Sequence, residues 1–432
     1  MKRILCIVWM VVLAWTGLYP EPPDLSVAVK AALGQNPQRQ NLLIDARIKE
    51  IDIARARARR RFESVFSGAY RYRSQALEID FQEATGLPGL PGGPVELGSR
   101  HQVDAALSLH QPIFLGGTLR NNLRREELIR RSLESEVAAQ ENRIRLEVKG
   151  SYFRYWIMIN NRERLEKSIQ NLDYHIHKIG EQVKDELARR TDLLEARNRK
   201  GELQLQKIEV EDKIEQEKVF FSRICGMDLA EIRPGYREPE WEMARAISHF
   251  EGHHPTLDWF DRQIDLIAVQ EKTVRGQYLP RLKGFFDLHY GRPGINIFLD
   301  RWSWYCQTGI ALDLTVFAWG KKSKELRQLQ FRRDKLINRR RAFQEETLEK
   351  IHRQYITLKK LREKVELVGT LEDNASREAR LKYQLYQEQQ IDHAAYMDAL
   401  FKRDAYGLLK QRLLTEIELT KVTISHLVHG SR

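Results

Sequence analysis

Two stretches, from about Thr118 to Glu186 and from about Lys321 to Glu388, run for roughly 70 residues each without a proline. Both are rich in Leu, Glu, Lys, Arg and Gln, the residues that lose least on entering a helix. At 1.5 Å per residue, one such helix would be ~105 Å long. Ile144, Val148, Tyr152, Tyr155 and Ile159 form a narrow apolar stripe in the first stretch, and Leu348, Ile351, Tyr355, Leu358 and Val365 form one in the second. Such a stripe packs helix on helix and does not fill a globular core. The chain is therefore expected to be mostly α and built from very long antiparallel helical hairpins.

The two stretches belong to two copies of one pattern. "QNPQRQNLLIDARIKEIDIARARARRRFESVFSGAYRY" from Gln35 aligns with "HHPTLDWFDRQIDLIAVQEKTVRGQYLPRLKGFFDLHY" from His253. Pro37 then pairs with Pro255 and Tyr72 with Tyr290. "LSLHQPIFLGGTLRNNL" from Leu107 aligns with "IALDLTVFAWGKKSKEL" from Ile310, pairing Phe114 with Phe317, Gly117 with Gly320 and Tyr152 with Tyr355. The offset drops from 218 to 203 between these matches, as a longer loop in the first copy ("GLPGLPGGP") requires. Each copy reads helix, strand, loop, strand, very long helix, break, shorter helix. Asp24 is placed to cap the first helix. The first copy spans residues 20–225, a Gly- and Pro-containing linker residues 226–245, and the second copy residues 246–430.

The four strand segments alternate at period two. Phe62, Phe66, Tyr70 and Tyr72 oppose Glu63, Ser67, Arg71 and Arg73; Val103, Ala105, Leu107, Leu109 and Ile113 oppose Asp104, Ser108 and His110. Leu282, Phe286, Leu288 and Tyr290 oppose Lys283, Asp287 and His289, and the even positions from Trp302 to Val316 oppose a polar series that includes Asp313. One apolar and one polar face suit strands with lipid outside and water inside. The aromatic residues Trp302, Trp304, Tyr70, Tyr72 and Tyr290 sit near strand ends, as an interfacial girdle would. The expected water-facing residues are Arg71, Arg73, Asp104, His110, Lys283, Asp287, His289 and Asp313. Four strands cannot close a membrane barrel, and open edges are not tolerated in lipid. The expectation is one transmembrane barrel shared among several chains.

The N-terminus, with basic Lys2 and Arg3 before an apolar run from Ile4 to Leu18, reads as a secretory signal peptide over residues 1–19. Export conflicts with nucleic-acid binding, although the formal charge is +12. Most of that charge alternates with Glu along helices, as in "RRDKLINRRRAFQEETLEK", and reads as a solvated face. Cys225 and Cys306 lie in segments of different type and are expected to be unpaired. No catalytic motif is present, and no cofactor is called for. His175 and His177 do not share a helix face, and His253 and His254 lack a partner at ligand spacing, so no metal site is expected. The competing reading is a soluble secreted coiled-coil protein with a structural or adhesive role, on which lipid-facing aromatics would have no use.

The order of elements, the duplication and the motifs resemble the TolC-like outer-membrane efflux protein family, over nearly the whole mature chain. The family's Asn-Pro appears as Asn36-Pro37 and, altered, as His254-Pro255. Its Leu-Pro before a strand is kept at Leu279-Pro280 but replaced by Arg61-Phe62. Its strand-to-helix turn is matched by Gln111, Pro112, Ile113, Phe114, Gly116 and Gly117, whereas the second copy keeps only Phe317 and Gly320. Val148 with Tyr152, and Asp192, Leu193, Leu194 and Ala196, match two further motifs. The resemblance implies a homotrimer with a twelve-stranded barrel continuing into an α-barrel across the periplasm. It implies a passive conduit working with a periplasmic adaptor and an inner-membrane pump of RND or ABC type, exporting drugs, metal ions, other small molecules or protein. The tips of the helical hairpins would meet the adaptor through Leu187, Arg190, Thr191, Asp192, Leu193, Ala196, Gln389 and Ala399. Asp185, Glu186, Asp192, Glu388 and Asp392 would be candidates for acidic rings at the entrance. Glu186 and Gln389 stand near where the family often has glycine.

Overall fold

The structure is a computed structural model that describes residues 23–75, 77–79, 86, 95–97, 99–186, 189–296, 299–388 and 390–429. The signal-peptide reading, most of the "GLPGLPGGP" loop, Leu187 and Gln389 lie outside the described residues.

The elements in chain order begin with α1 (Leu25–Gln35), α2 (Pro37–Ala58), β1 (Glu63–Tyr72), β2 (Leu77–Ile79), β3 (Val95–Leu97) and β4 (His101–Leu115). The first long helix follows as α3 (Thr118–Lys184), then α4 (Arg190–Cys225) and a single 3-10 turn at Leu229–Glu231. Then come α5 (Met243–His253), α6 (Pro255–Gln277), β5 (Arg281–Arg292), β6 (Ser303–Asp313), α7 (Lys321–Gln387) and α8 (His393–His429). Helices α3 and α7 each have 67 residues. The chain is thus mostly α with a small β part, as expected. Among the described residues no helix is long and apolar enough to cross a membrane.

The chain divides into two compact units, and each draws segments from both copies. The first unit comprises residues up to Leu43, Ser135–Asp258 and Arg340–Arg432. Ion pairs fix the direction of its helices. Lys200 meets Asp173, Lys207 meets Glu166 and Arg154 meets Glu217, so α4 runs antiparallel to α3. Lys410 with Glu372 and Lys402 with Glu378 set α8 antiparallel to α7 in the same way. Such half-exposed pairs contribute little stability; their value here is as register markers. Stability comes from two apolar clusters. One joins Leu25 and Ala32 of α1, Ile144, Val148 and Tyr152 of α3, and Ile214 and Phe221 of α4. The other joins Phe250 of α5, Ile351 and Leu358 of α7, and Ile417 and Val428 of α8. The stripes read from the sequence are these seams.

The paired tyrosines of the two copies do the same work. The Tyr152 hydroxyl donates to the Arg233 carbonyl, and the Tyr355 hydroxyl donates to the Trp241 carbonyl. Both carbonyls belong to the linker, so each copy ties it to its own long helix. Helix α4 ends where Gly226 takes a left-handed conformation (φ 67°).

The second unit comprises Ile44–Glu134 and Trp259–Arg339. Its centre is a four-stranded antiparallel sheet in the order β1-β4-β5-β6. A separate short ladder pairs β2 with β3, where the sequence suggested only a loop. The sheet corrects two expectations. Alternation carried the last strand to Val316, but β6 ends at Asp313 because its partner β5 begins at Arg281, opposite Asp313. Pro112 and Phe114 were expected in the strand-to-helix turn; instead β4 continues to Leu115, and Pro112 stands at a bulge between it and Phe114. A bulge tolerates a residue with no N–H to donate.

Candidate functional site

The register decides which side chains share a face of the sheet. Phe66, Leu107, Leu288 and Cys306 lie in one row across the four strands, and Ser64, Leu109, Phe286 and Thr308 in another. Ala105, Tyr290 and Trp304 form a third, where Tyr290 stacks on Trp302 (5.0 Å) and lies 4.5 Å from Trp304. This face is apolar and uncovered: Phe66 is 76% exposed, Trp304 67% and Ile310 69%. Burying a side chain of that size stabilises by about 1.5–3 kcal/mol, so a contiguous exposed set marks a surface made for an apolar partner.

The opposite face gathers Arg71, Asp104, His110, Lys283, Asp287, His289 and Asp313. Arg73 falls just past β1, where its N–H donates to the Arg100 carbonyl. The His289 Nδ1 lies 3.1 Å from each Asp104 carboxylate oxygen, and its ring stacks flat on Tyr305 at 4.6 Å. Lys283 is 3.9 Å from Asp313. Charges of both signs line this face, and they partly neutralise one another. The sequence listed the ionic members but did not show the Asp104–His289–Tyr305 group, because its parts come from three strands.

At the outer edges, β1 and β6 have no partner strand among the described residues. The strand-to-helix turns lie at one end of the sheet. Gly116 and Gly117 are left-handed (φ 60° and 76°), and a Cβ on Gly116 would sit 2.0 Å from the Gly276 carbonyl oxygen. Only glycine fits there. In the second copy the corresponding positions are Trp319 (φ 48°) and Gly320 (φ 70°), with Phe317 against Trp319 at 4.8 Å.

The hairpin tips belong to the first unit. Helix α3 ends through Asp185 and Glu186, both exposed, with Glu186 in the left-handed region at φ 58°. Helix α4 starts at Arg190, and Thr191 donates to the Asp192 carboxylate. At the other tip, exposed Glu388 accepts from the Gln390 side chain, and Asp392 caps α8 by accepting from Ala395 N–H (3.0 Å). The Asp392 carboxylate thus has a local structural role. Leu193 is half-buried, Ala196 is buried, and Ala399 is 1% exposed. The two alanines serve close packing within the chain. A groove of about 660 Å³ opens beside them between α4 and α8, bordered by Asp192, Arg199, Met397 and Phe401. Arg199 covers Phe401 at 5.0 Å.

Among the described residues no group of three or more His, Cys, Asp or Glu is placed to hold a metal ion. Cys225 is buried and Cys306 exposed, and both are free thiols. Burial pushes the Cys225 thiol up to about 12, so it stays protonated.

No family model and no curated protein matches the sequence. Solved structures do match in fold. The outer membrane protein VceC from Vibrio cholerae superposes with a TM-score of 0.75 at 13% identity, covering 94% of this chain and 96% of that one. The chain has the TolC-like outer-membrane channel fold. The CmeC outer membrane channel from Campylobacter jejuni matches with a TM-score of 0.75 at 14% identity, over 94% of this chain and 85% of that one. The open state of the Neisseria gonorrhoeae MtrE outer membrane channel matches with a TM-score of 0.73 at 11% identity, over 95% and 89%. In each case the likeness runs nearly end to end, so both the sheet and the helical hairpins are shared.

Proposed function

We propose that this chain is a passive outer-membrane channel and periplasmic conduit of a tripartite export system. The observation that carries the reading is the four-stranded sheet with one exposed apolar face, one charged face and two edges that have no partner strand among the described residues. Lipid accepts the first face and water the second. Unpaired edges in lipid would leave backbone groups unsatisfied at a cost of several kcal/mol each. Three copies, each pairing β6 with the β1 of its neighbour, would close a twelve-stranded barrel and leave no edge. The hairpins of three copies would likewise line an α-barrel in the periplasm. Arg71, Asp104, His110, Lys283, Asp287, His289 and Asp313 then line the lumen.

The protein is no enzyme in this reading, and the energy for export comes from an inner-membrane pump of RND or ABC type through a periplasmic adaptor. The exposed tip residues Arg190 and Thr191, half-buried Asp192 and the neighbouring groove are the adaptor's contact. Asp185, Glu186, Asp192, Glu388 and Asp392, brought together by threefold symmetry, form an acidic entrance that attracts cations. Planar-bilayer conductance of the detergent-purified protein tests this. Small cation-selective steps are expected. Asp192→Asn, and Glu388→Gln combined with Asp392→Asn, should enlarge them or weaken the selectivity; asparagine keeps the α8 cap. Absence of steps would overturn the duct.

A further inference from the structure

A second cavity, of about 450 Å³, lies within the first unit under the linker. Its walls come from α3 (Arg145, Lys149), the linker (Glu238, Trp241) and the end of α8 (His426, His429). Three buried nitrogens in these walls have no hydrogen-bond partner: Arg145 Nη1, His426 Nδ1 and His429 Nδ1. A guanidinium N–H can only donate, and a buried donor left unmade costs about 1–3 kcal/mol. Arg145 Nη1 is the obligate donor of the three; each imidazole Nδ1 becomes one when the ring is protonated, and an acceptor inside the cavity would then satisfy all three.

The carboxylates nearby do not fill that role. Glu238 is held by Lys149 through both oxygens (2.9 and 2.8 Å) and also accepts from the Tyr236 hydroxyl. Glu240 is taken by Arg362 at 2.6 Å. Glu141 reaches Arg145 only through Nη2 at 3.5 Å and is already engaged by Arg39 at 2.7 Å. Glu242 is exposed, and Arg245 lies over the Trp241 ring at 5.8 Å. Arg145 Nη1 is therefore a donor without an acceptor, and the two imidazoles join it on protonation. The volume exceeds what a lone inorganic ion needs, and Trp241, Leu146 and Val422 supply apolar wall.

We propose that this cavity binds a small organic anion, with its oxyanion head on Arg145, His426 and His429 and a ring-sized apolar body against Trp241. Carboxylate and phosphate heads share this chemistry. Binding would carry a proton signature. Burial holds His426 below the usual imidazole range. Burial, then His249, Lys149 and Arg145, hold His429 low, with Glu238 acting in the opposite sense. Asn142 donates to the His426 carbonyl, and His254 faces His426 as a second imidazole. Glu240, Glu242 and Arg245 complete the charged wall. An anion seated among these groups favours the imidazolium forms, so binding takes up protons and tightens as pH falls from 8 to 6.

The test is isothermal titration of the full-length protein in detergent with benzoate, phenyl phosphate, inorganic phosphate and the neutral benzyl alcohol. Saturable binding of benzoate or phenyl phosphate is expected, and which one binds more tightly identifies the head group. Inorganic phosphate should bind at least tenfold more weakly than the better aromatic anion. Repeating the titration in buffers of different ionisation enthalpy should show proton uptake. Arg145→Gln should weaken the better ligand at least tenfold, and His429→Gln should reduce the proton uptake. If Arg145→Gln does not fold, His429→Gln and Arg145→Lys provide independent readings, the latter keeping the charge but losing the fork. No saturable binding of either aromatic anion, equal binding of benzyl alcohol, or wild-type affinity in a folded Arg145→Gln would overturn the proposal. The site is independent of the duct reading, since conductance and anion binding are measured separately.

Discussion

The two copies within this chain share one fold pattern but solve two local problems with different residues. At the strand-to-helix turn, the first copy uses Gly116-Gly117 and the second Trp319-Gly320, and all four are left-handed. Gly116 abuts the Gly276 backbone, whereas Trp319 is 84% exposed. Close approach demanded glycine in one place, and open space tolerated a strained tryptophan in the other. At the first helix junction, the Asn36 side chain accepts from Arg39 N–H (3.0 Å). At the second, the His254 Nδ1 accepts from Thr256 N–H (3.2 Å). The amide cap has no protonation state to lose. The imidazole cap works only while Nδ1 is unprotonated. A duplicated fold can thus carry a pH dependence in one copy alone.

The comparison breaks most sharply at Gly116. Gly116→Ala should destabilise by on the order of 3 kcal/mol or more, because it adds backbone overlap to left-handed strain. Gly117→Ala, with no atom near its Cβ position, should cost about 1–2 kcal/mol from conformation alone. Chemical denaturation at fixed protein and detergent concentration checks both; equal losses would refute the role given to Gly276.

The junctions separate by pH. Burial, with smaller contributions from His426 and His249, lowers His254 to about 4 from its ordinary 6.5. Between these values the unfolded chain holds a proton that the folded chain refuses, so stability is full above about pH 6.5 and falls as pH drops towards 4. The loss is on the order of 3 kcal/mol. His254→Asn should flatten this slope, though His426 and His429 titrate in the same sense and retain their share. It should also cost about 1–2 kcal/mol at pH 7.5 through lost packing against Phe250 and Phe343. Melting curves from pH 7.5 to 4.5 give the answer, and an unchanged slope would exclude the His254 cap as a pH-sensitive element.

The tyrosine ties differ less. Tyr152 both donates to the Arg233 carbonyl and accepts from Tyr236 N–H, whereas Tyr355 only donates. Tyr152→Phe should cost about 2 kcal/mol and Tyr355→Phe about 1 kcal/mol, read as shifts in denaturation midpoint. The smallest effect has the opposite sign. Trp319→Gly should stabilise by roughly 0.5–1 kcal/mol by relieving the positive φ. A loss instead would mean that Trp319 packs in the assembled protein.

The long helices were legible because a proline-free, apolar-striped run leaves the chain no other choice. Their ends fall at Lys184 and Gln387, within two residues of expectation. The strand faces were legible because alternation survives in all four segments. The end of β6 was not, since pairing stops where β5 begins, and alternation continues to Val316 regardless of a partner. The Pro112 bulge was hidden because only the register of β4 on β5 reveals the extra residue. The linker cavity was invisible for a related reason: Arg145, Trp241 and His429 are far apart in sequence, and none belongs to a motif. His254 was read as a departure from Asn-Pro; that it keeps the capping role with a titratable atom required the geometry.

The four-stranded sheet, with no partner strand at either edge among the described residues, calls for completion by other copies of the same chain. Native mass spectrometry of the detergent-solubilised protein, beside sedimentation without detergent, tests it most directly. A species of three chains that needs detergent to stay in solution is expected. A monomer that remains soluble without detergent would contradict it, and would favour a secreted coiled-coil protein instead.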